Sequence, residues 1–130
     1  MDSKRLAQLC CAYAANRKAE NPVMLDLREL SSIADFFIIL TGGSTPHLRA
    51  IGEEITDQIR QDHDMRPRHL DGKGSGDWLV IDFYDVIIHI MSEEMRQRYD
   101  LENLWGDAPR IKPRKPRGMG VRKNAVVSTQ

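Results

Sequence analysis

Cysteine is nearly absent from these 130 residues, and its two copies, Cys10 and Cys11, are adjacent. Neighbours on a helix point about 100° apart and do not normally bridge. With no other thiol in the chain, a zinc cluster and a CxxC redox pair are excluded. Long apolar runs are missing too. None approaches the roughly 20 residues that cross a bilayer, and the one around Ile87 to Met91 is broken by His89. The N-terminus lacks the apolar centre of a signal peptide and carries Asp2 where such a peptide is cationic. MDSKRLAQLCCAYAANRK can form an amphipathic helix, but without the arginine enrichment of a presequence. Leu6, Leu9, Cys10 and Tyr13 form a core-type stripe, so this helix is read as part of the domain and the protein as cytoplasmic.

Phosphate and metal motifs are also lacking. Gly42-Gly43-Ser44 stands between a strand-like and a helix-like stretch, where backbone N–H groups can cradle phosphate. No Gly-Lys-Ser/Thr follows, and the pattern is not GxGxxG. It is similar to the Gly-Ser turn of nucleotidyltransferases, which hold two metal ions on an Asp-x-Asp strand. Glu53-Glu54-Ile55-Thr56 stands at the corresponding place, inside a helical pattern, and no Asp-x-Asp or Asp-x-Glu lies on a strand-like stretch. An enzyme of that type working through Gly42–Ser44 is therefore the alternative reading, and a tight turn with an N-cap is the simpler one. DGKGSGD, residues 71–77, lacks the alternating acids and final glutamate of a calcium loop. His47, His63 and His69 have no ligand spacing. No cofactor or metal is expected.

What is present is ordinary in amount and uneven in placement. Apolar residues make up 41% and charged residues 29% of one domain-sized chain. Residues 1–105 carry 12 Lys/Arg against 18 Asp/Glu, a balance of −6; residues 106–130 carry seven against one, a balance of +6. An acidic body suits a basic protein partner, and a basic tail can touch RNA. Three prolines and no periodicity after Trp105 predict a disordered tail over 106–130 behind a domain over 1–105.

The patterns predict a helix from an Asp2 or Ser3 cap to about Asn16, and strands at Val23–Leu27 and Asp35–Leu40. Asp35–Leu40 is apolar on both sides, as in a sheet covered on both faces. Ser44 or Thr45 caps a second helix whose Leu48, Ile51, Ile55 and Ile59 make one buried face. Arg66–His69 reads as a short edge strand, and Ser92 caps a last helix ending near Tyr99. The order implies a single α/β domain with a mixed β-sheet flanked by helices.

WLVIDFYDVIIHIM, residues 78–91, places Asp82, Asp85 and His89 among apolar residues. A two-residue turn at Tyr84-Asp85 sets Trp78 opposite Met91, Val80 opposite His89 and Asp82 opposite Ile87. One face is then apolar: Leu79, Ile81, Phe83, Val86, Ile88 and Ile90. The other is mixed: Trp78, Val80, Asp82, Ile87, His89 and Met91. Asp82 and His89 become diagonal neighbours. With no nucleophile beside them, a hydrogen-bonded structural pair is the expectation. YDLENLW, residues 99–105, reads from periodicity as core, though Tyr, Trp and Arg are also the usual anchors of an interface.

Three blocks carry a resemblance: LDLRELSSIADFFIILTGGSTPHLRAIGEEI, LDGKGSGDWLVIDFYDVIIHIM and RQRYDLENLW, covering most of residues 23–105. The joint signature is Ser-x-x-x-Asp-aromatic, Thr-Gly-x-Ser, Trp-x-x-x-Asp, Asp-x-x-x-His and Tyr-x-Leu-Glu-x-Leu-Trp. The chain resembles the ribosomal silencing factors, the RsfS/Iojap family. That resemblance implies a nucleotidyltransferase-like fold without the catalytic carboxylates, and no enzymatic activity. It implies binding to the large ribosomal subunit through its fourteenth protein, steric blocking of small-subunit joining, and damped translation when nutrients are scarce. It also implies self-association off the ribosome. The expected contact and support set is Trp78, Asp82, Asp85, His89, Arg96, Tyr99, Leu101, Glu102 and Trp105. Tyr84 departs from the family, which often has glycine at that turn, and Asp71 stands where Glu is common. The basic tail is an extension that many relatives lack; contact with rRNA is its expected role.

Overall fold

The chain alternates helical and extended stretches because its apolar period switches between 3.6 and 2. The computed structural model describes residues 1–72 and 76–113. Helix α1 spans Ser3–Ala15, capped by Asp2, whose carboxylate accepts from the Arg5 N–H at 2.7 Å. Strands β1 (Glu20–Asp26) and β2 (Phe36–Thr41) follow, then α2 (Thr45–His63), whose first N–H groups are met by Ser44. Next come β3 (His69–Asp71), β4 (Trp78–Asp82) and β5 (Val86–Met91). The short helices α3 (Glu93–Tyr99) and α4 (Leu101–Leu104) lead to a last strand, β6 (Arg110–Ile111).

Among the described residues six strands form one sheet in the order β3-β4-β5-β2-β1-β6. Only β2 and β5 run parallel; the other neighbouring pairs are antiparallel. The mixed α/β architecture is therefore as expected. The β4–β5 register is also the expected one, with Trp78 opposite Met91, Val80 opposite His89 and Asp82 opposite Ile87. Its turn is closed by Asp85 N–H donating to the Phe83 carbonyl at 2.9 Å around Tyr84, whose φ is 73°. A left-handed backbone at that position favours glycine, and Tyr84 adopts it here.

Alternation sorts the side chains onto two faces. Phe36, Ile38 and Leu40 of β2 join Leu79, Ile81, Val86, Ile88 and Ile90 beneath α1 and α2, in one large cluster. Val23, Leu25, Phe37, Ile39, Trp78 and Met91 point the other way. There the cover is thinner: Met95, Leu101, Trp105 and Ala108 from α3, α4 and the chain beyond. Burial pushes the Cys11 thiol up to about 12 and the Cys10 thiol well above its ordinary range, so both act as small apolar core groups.

Three expectations shift. The edge strand sits at His69–Asp71 rather than Arg66–His69, because Pro67 has no N–H to give a ladder. Strand β1 begins earlier, at Glu20, through a bulge that contains Asn21 at φ 49° and Pro22. The boundary at 105 falls inside the fold. Leu25 and Met24 pair with Arg110 and Ile111, Ala108 is buried, and Gln8 Nε2 donates to the Lys112 carbonyl at 3.3 Å. Two residues of strand are too short for periodicity to register. Tail residues 114–130, and Lys73–Ser75 of the glycine-rich loop, lie outside the described residues.

Candidate functional site

The thinly covered sheet face gathers most of the residues singled out in the sequence. Trp78 projects from β4 at the end of the hairpin away from the turn. The Trp78 carbonyl lies so close to Gly72, at φ 90°, that any Cβ there would overlap it. The indole Nε1–H donates to His89 Nδ1 at 3.1 Å. Its ring packs against Tyr99 at 4.9 Å between centroids, tilted by 51°. Phe37 of β2 lies 4.9 Å from the His89 ring and meets Trp105 edge-on at 5.9 Å. Trp78, Phe37 and Trp105 are half-buried, while Tyr99 is 50% and Leu104 71% exposed. A continuous aromatic layer is thus open to solvent at its outer rim.

Below that rim the polar groups are internal. Arg96 is buried and grips Glu102 with two parallel hydrogen bonds, 3.0 and 3.1 Å, while Nη1 donates to Thr41 Oγ1 at 2.8 Å. This fork ties α3, α4 and β2 together. The guanidinium beside it holds the Glu102 carboxyl below its ordinary range. His89 is buried, and desolvation lowers its pKa to about 4, so the ring is neutral. An indole only donates, so Nδ1 accepts and the proton sits on Nε2. Among the described residues Nε2 has no hydrogen-bond partner.

The nine expected residues therefore divide. Trp78, Tyr99, Leu101 and Trp105 form or pack under the open aromatic layer. Arg96 and Glu102 brace it from inside, and His89 lies beneath it. Asp82 and Asp85 are brought to the opposite end of the hairpin. Asp82 pairs with Arg68 at 3.0 Å and accepts from the Tyr84 N–H at 2.7 Å; Asp85 is exposed, its carbonyl receiving the N–H groups of Asp35 and Phe36. The expected Asp82–His89 pair is replaced by Trp78–His89. Both residues are diagonal to His89, and a long indole spans that diagonal where a short carboxylate does not. Residues 99–105 are not simply core, because Tyr99 and Leu104 face solvent. Phe37 carries no signal in the sequence, because a strand apolar on both sides hides which residues flank His89; the parallel β2–β5 register pairs Ile39 with His89 and sets Phe37 on the diagonal, within ring contact.

The Gly42–Ser44 turn is already filled. Gly43 N–H donates to His47 Nδ1 at 2.9 Å, and His47 Nε2 reaches the Arg17 carbonyl at 2.7 Å. The Glu20 carboxylate stands close by, so an arriving phosphate would meet an imidazole and a negative charge. Among the described residues no group of three His, Cys, Asp or Glu could hold a metal ion, and no helix is long and apolar enough to cross a membrane.

One face under two long helices and one under an aromatic layer define a mixed α/β domain shared with solved structures. A Chromobacterium violaceum protein has a crystal structure of TM-score 0.78 and 26% identity, covering 89% of this chain and 98% of its own. A Bacillus halodurans crystal structure gives 0.73 and 31%, covering 85% and 99%. The chain belongs to the ribosomal silencing factor family: the family described as "Ribosomal silencing factor during starvation" matches residues 1–129. Ribosomal silencing factor RsfS of Halalkalibacterium halodurans is 36% identical over 85% of this chain and 94% of that relative; its Bacillus subtilis counterpart is 33% identical over 84% and 92%. A mouse protein named for mitochondrial assembly of the ribosomal large subunit is 37% identical over 55% of this chain and 32% of its own length.

Proposed function

We propose that this protein binds the large ribosomal subunit through its fourteenth protein and blocks small-subunit joining by occlusion, without chemistry. Translation in the cytoplasm is thereby repressed when nutrients are scarce. The observation that carries this reading is the tilted Trp78–Tyr99 ring contact at the open rim of the thinly covered sheet face. Aromatic rings already held against one another bring large apolar area to an interface at small entropic cost. Trp78, Tyr99, Leu101 and Trp105 are the proposed contact set, braced by Arg96 and Glu102. Asp82 and Asp85 would meet partner Arg or Lys at the hairpin tip. Family membership supports the ribosomal partner. The basic residues of 114–130 add rRNA contact that tunes affinity, and the free protein pairs with a second copy.

The test is sedimentation of purified subunits with and without the protein. Expected is persistence of separate subunits and co-migration with the large one; undiminished joined ribosomes overturn the reading. Tyr99→Ala, at a half-exposed position, is expected to keep its melting temperature and lose binding by roughly tenfold or more.

A further inference from the structure

We propose that His89 is the positioning residue of the aromatic layer: by accepting the Trp78 indole proton at Nδ1, it holds Trp78 against Tyr99 in the orientation a partner meets. This rests on the reading of that layer as the partner surface. His89 itself is only 8% exposed, so it acts through Trp78 rather than on the partner.

The ring is fixed from both sides. It stands on β5 between Ile39 of β2 and Val80 of β4, with the Phe37 ring at 4.9 Å and the indole at 5.9 Å. These surroundings are aromatic and aliphatic, and a leucine would suit them. Histidine instead leaves Nε2–H buried and unpartnered among the described residues, which costs stability. What the imidazole supplies and leucine lacks is one acceptor, 3.1 Å from Trp78 Nε1. Trp78 is half-buried, so without that acceptor its indole N–H can turn to water. The turned ring would leave Tyr99, whose other side is solvent. Both rings would then have to be ordered on binding, which weakens affinity by about tenfold.

The test uses the full chain and two variants. His89→Asn keeps an acceptor near Nδ1; His89→Leu removes it. Long-range proton–nitrogen NMR of the wild type reads the imidazole tautomer, and solvent exchange of the Trp78 indole N–H reads its hydrogen bond. Affinity for purified large subunits is measured by sedimentation. Expected are an Nε2–H tautomer and a protected indole in the wild type. His89→Leu should show fast indole exchange and about tenfold weaker binding, and His89→Asn should stay within about twofold of wild type. An Nδ1–H tautomer, an indole still protected in His89→Leu, or a freed indole with unchanged affinity overturns the proposal. Wild type that fails to bind large subunits removes the ribosomal reading, and with it the partner half of the proposal; tautomer and exchange still decide whether His89 orients Trp78.

Discussion

A buried imidazole couples stability to pH. His89 ionises at about 4 in the folded protein against an ordinary 6.5, because burial penalises the charged form. As pH falls the unfolded chain takes the proton first. The contribution is therefore complete above 6.5, declines between 6.5 and about 4, and is level below. At about 1.4 kcal/mol for each pKa unit, the decline amounts to about 3 kcal/mol. Asp26 and Glu102, whose carboxyls are held low by Arg28 and Arg96, add their own loss in acid. The informative quantity is thus a difference. Urea unfolding at pH 7 and at pH 4.5 is expected to show a smaller acid loss for His89→Leu than for wild type. Parallel losses would mean that His89 does not titrate this way.

At the scale of elements, the thin face depends on a few ties. Two helices of seven and four residues bury little surface of their own. Their joint is held by the Arg96–Glu102 fork and by Asp100 in a left-handed conformation at φ 44°. Glu102→Ala leaves a buried guanidinium whose remaining side-chain partner among the described residues is Thr41. A loss of about 3 kcal/mol in urea unfolding is expected. The double change Arg96→Met with Glu102→Leu should recover much of it, since no charge then stays buried. The last strand is a second tie. A chain ended at 105 loses the β1–β6 pairing and buried Ala108, whereas one ended at 113 keeps both. The shorter chain is expected to melt several degrees lower; equal melting temperatures would show that β6 adds nothing.

For the whole molecule, charge decides how a partner approaches. The body over 1–105 is acidic by six charges and the remainder basic by the same amount. On the proposed function, association with a basic ribosomal protein should therefore slow as salt rises, chiefly through the on-rate. Stopped-flow binding to large subunits between about 50 and 200 mM salt checks this, and a flat response would place the contact in apolar area alone. Comparison of the full chain with one ended at 113 separates the contribution of the last residues, because that cut spares β6.

Much of this fold was legible in residue order. Helix starts at Asp2, Ser44 and Ser92 are local chemistry, since a short oxygen-bearing side chain meets the first free N–H groups. The β4–β5 register followed from alternation and a two-residue turn, because a slip by one would turn Leu79, Ile81 and Ile88 out of the core. Family kinship was equally readable, as motifs over residues 31–105. Pairing between distant segments was not. That β2 lies parallel to β5, setting Phe37 beside His89, depends on contacts about fifty residues apart that no local pattern encodes. Nor could spacing say that His89 takes Trp78 rather than Asp82, or that Arg96 turns inward to Glu102 and Thr41. Sequence alone determined which residues were apolar, which turned the chain, and to which family it belongs. Only the tertiary structure decided which polar groups are buried and paired, because burial depends on how the faces of the sheet are covered.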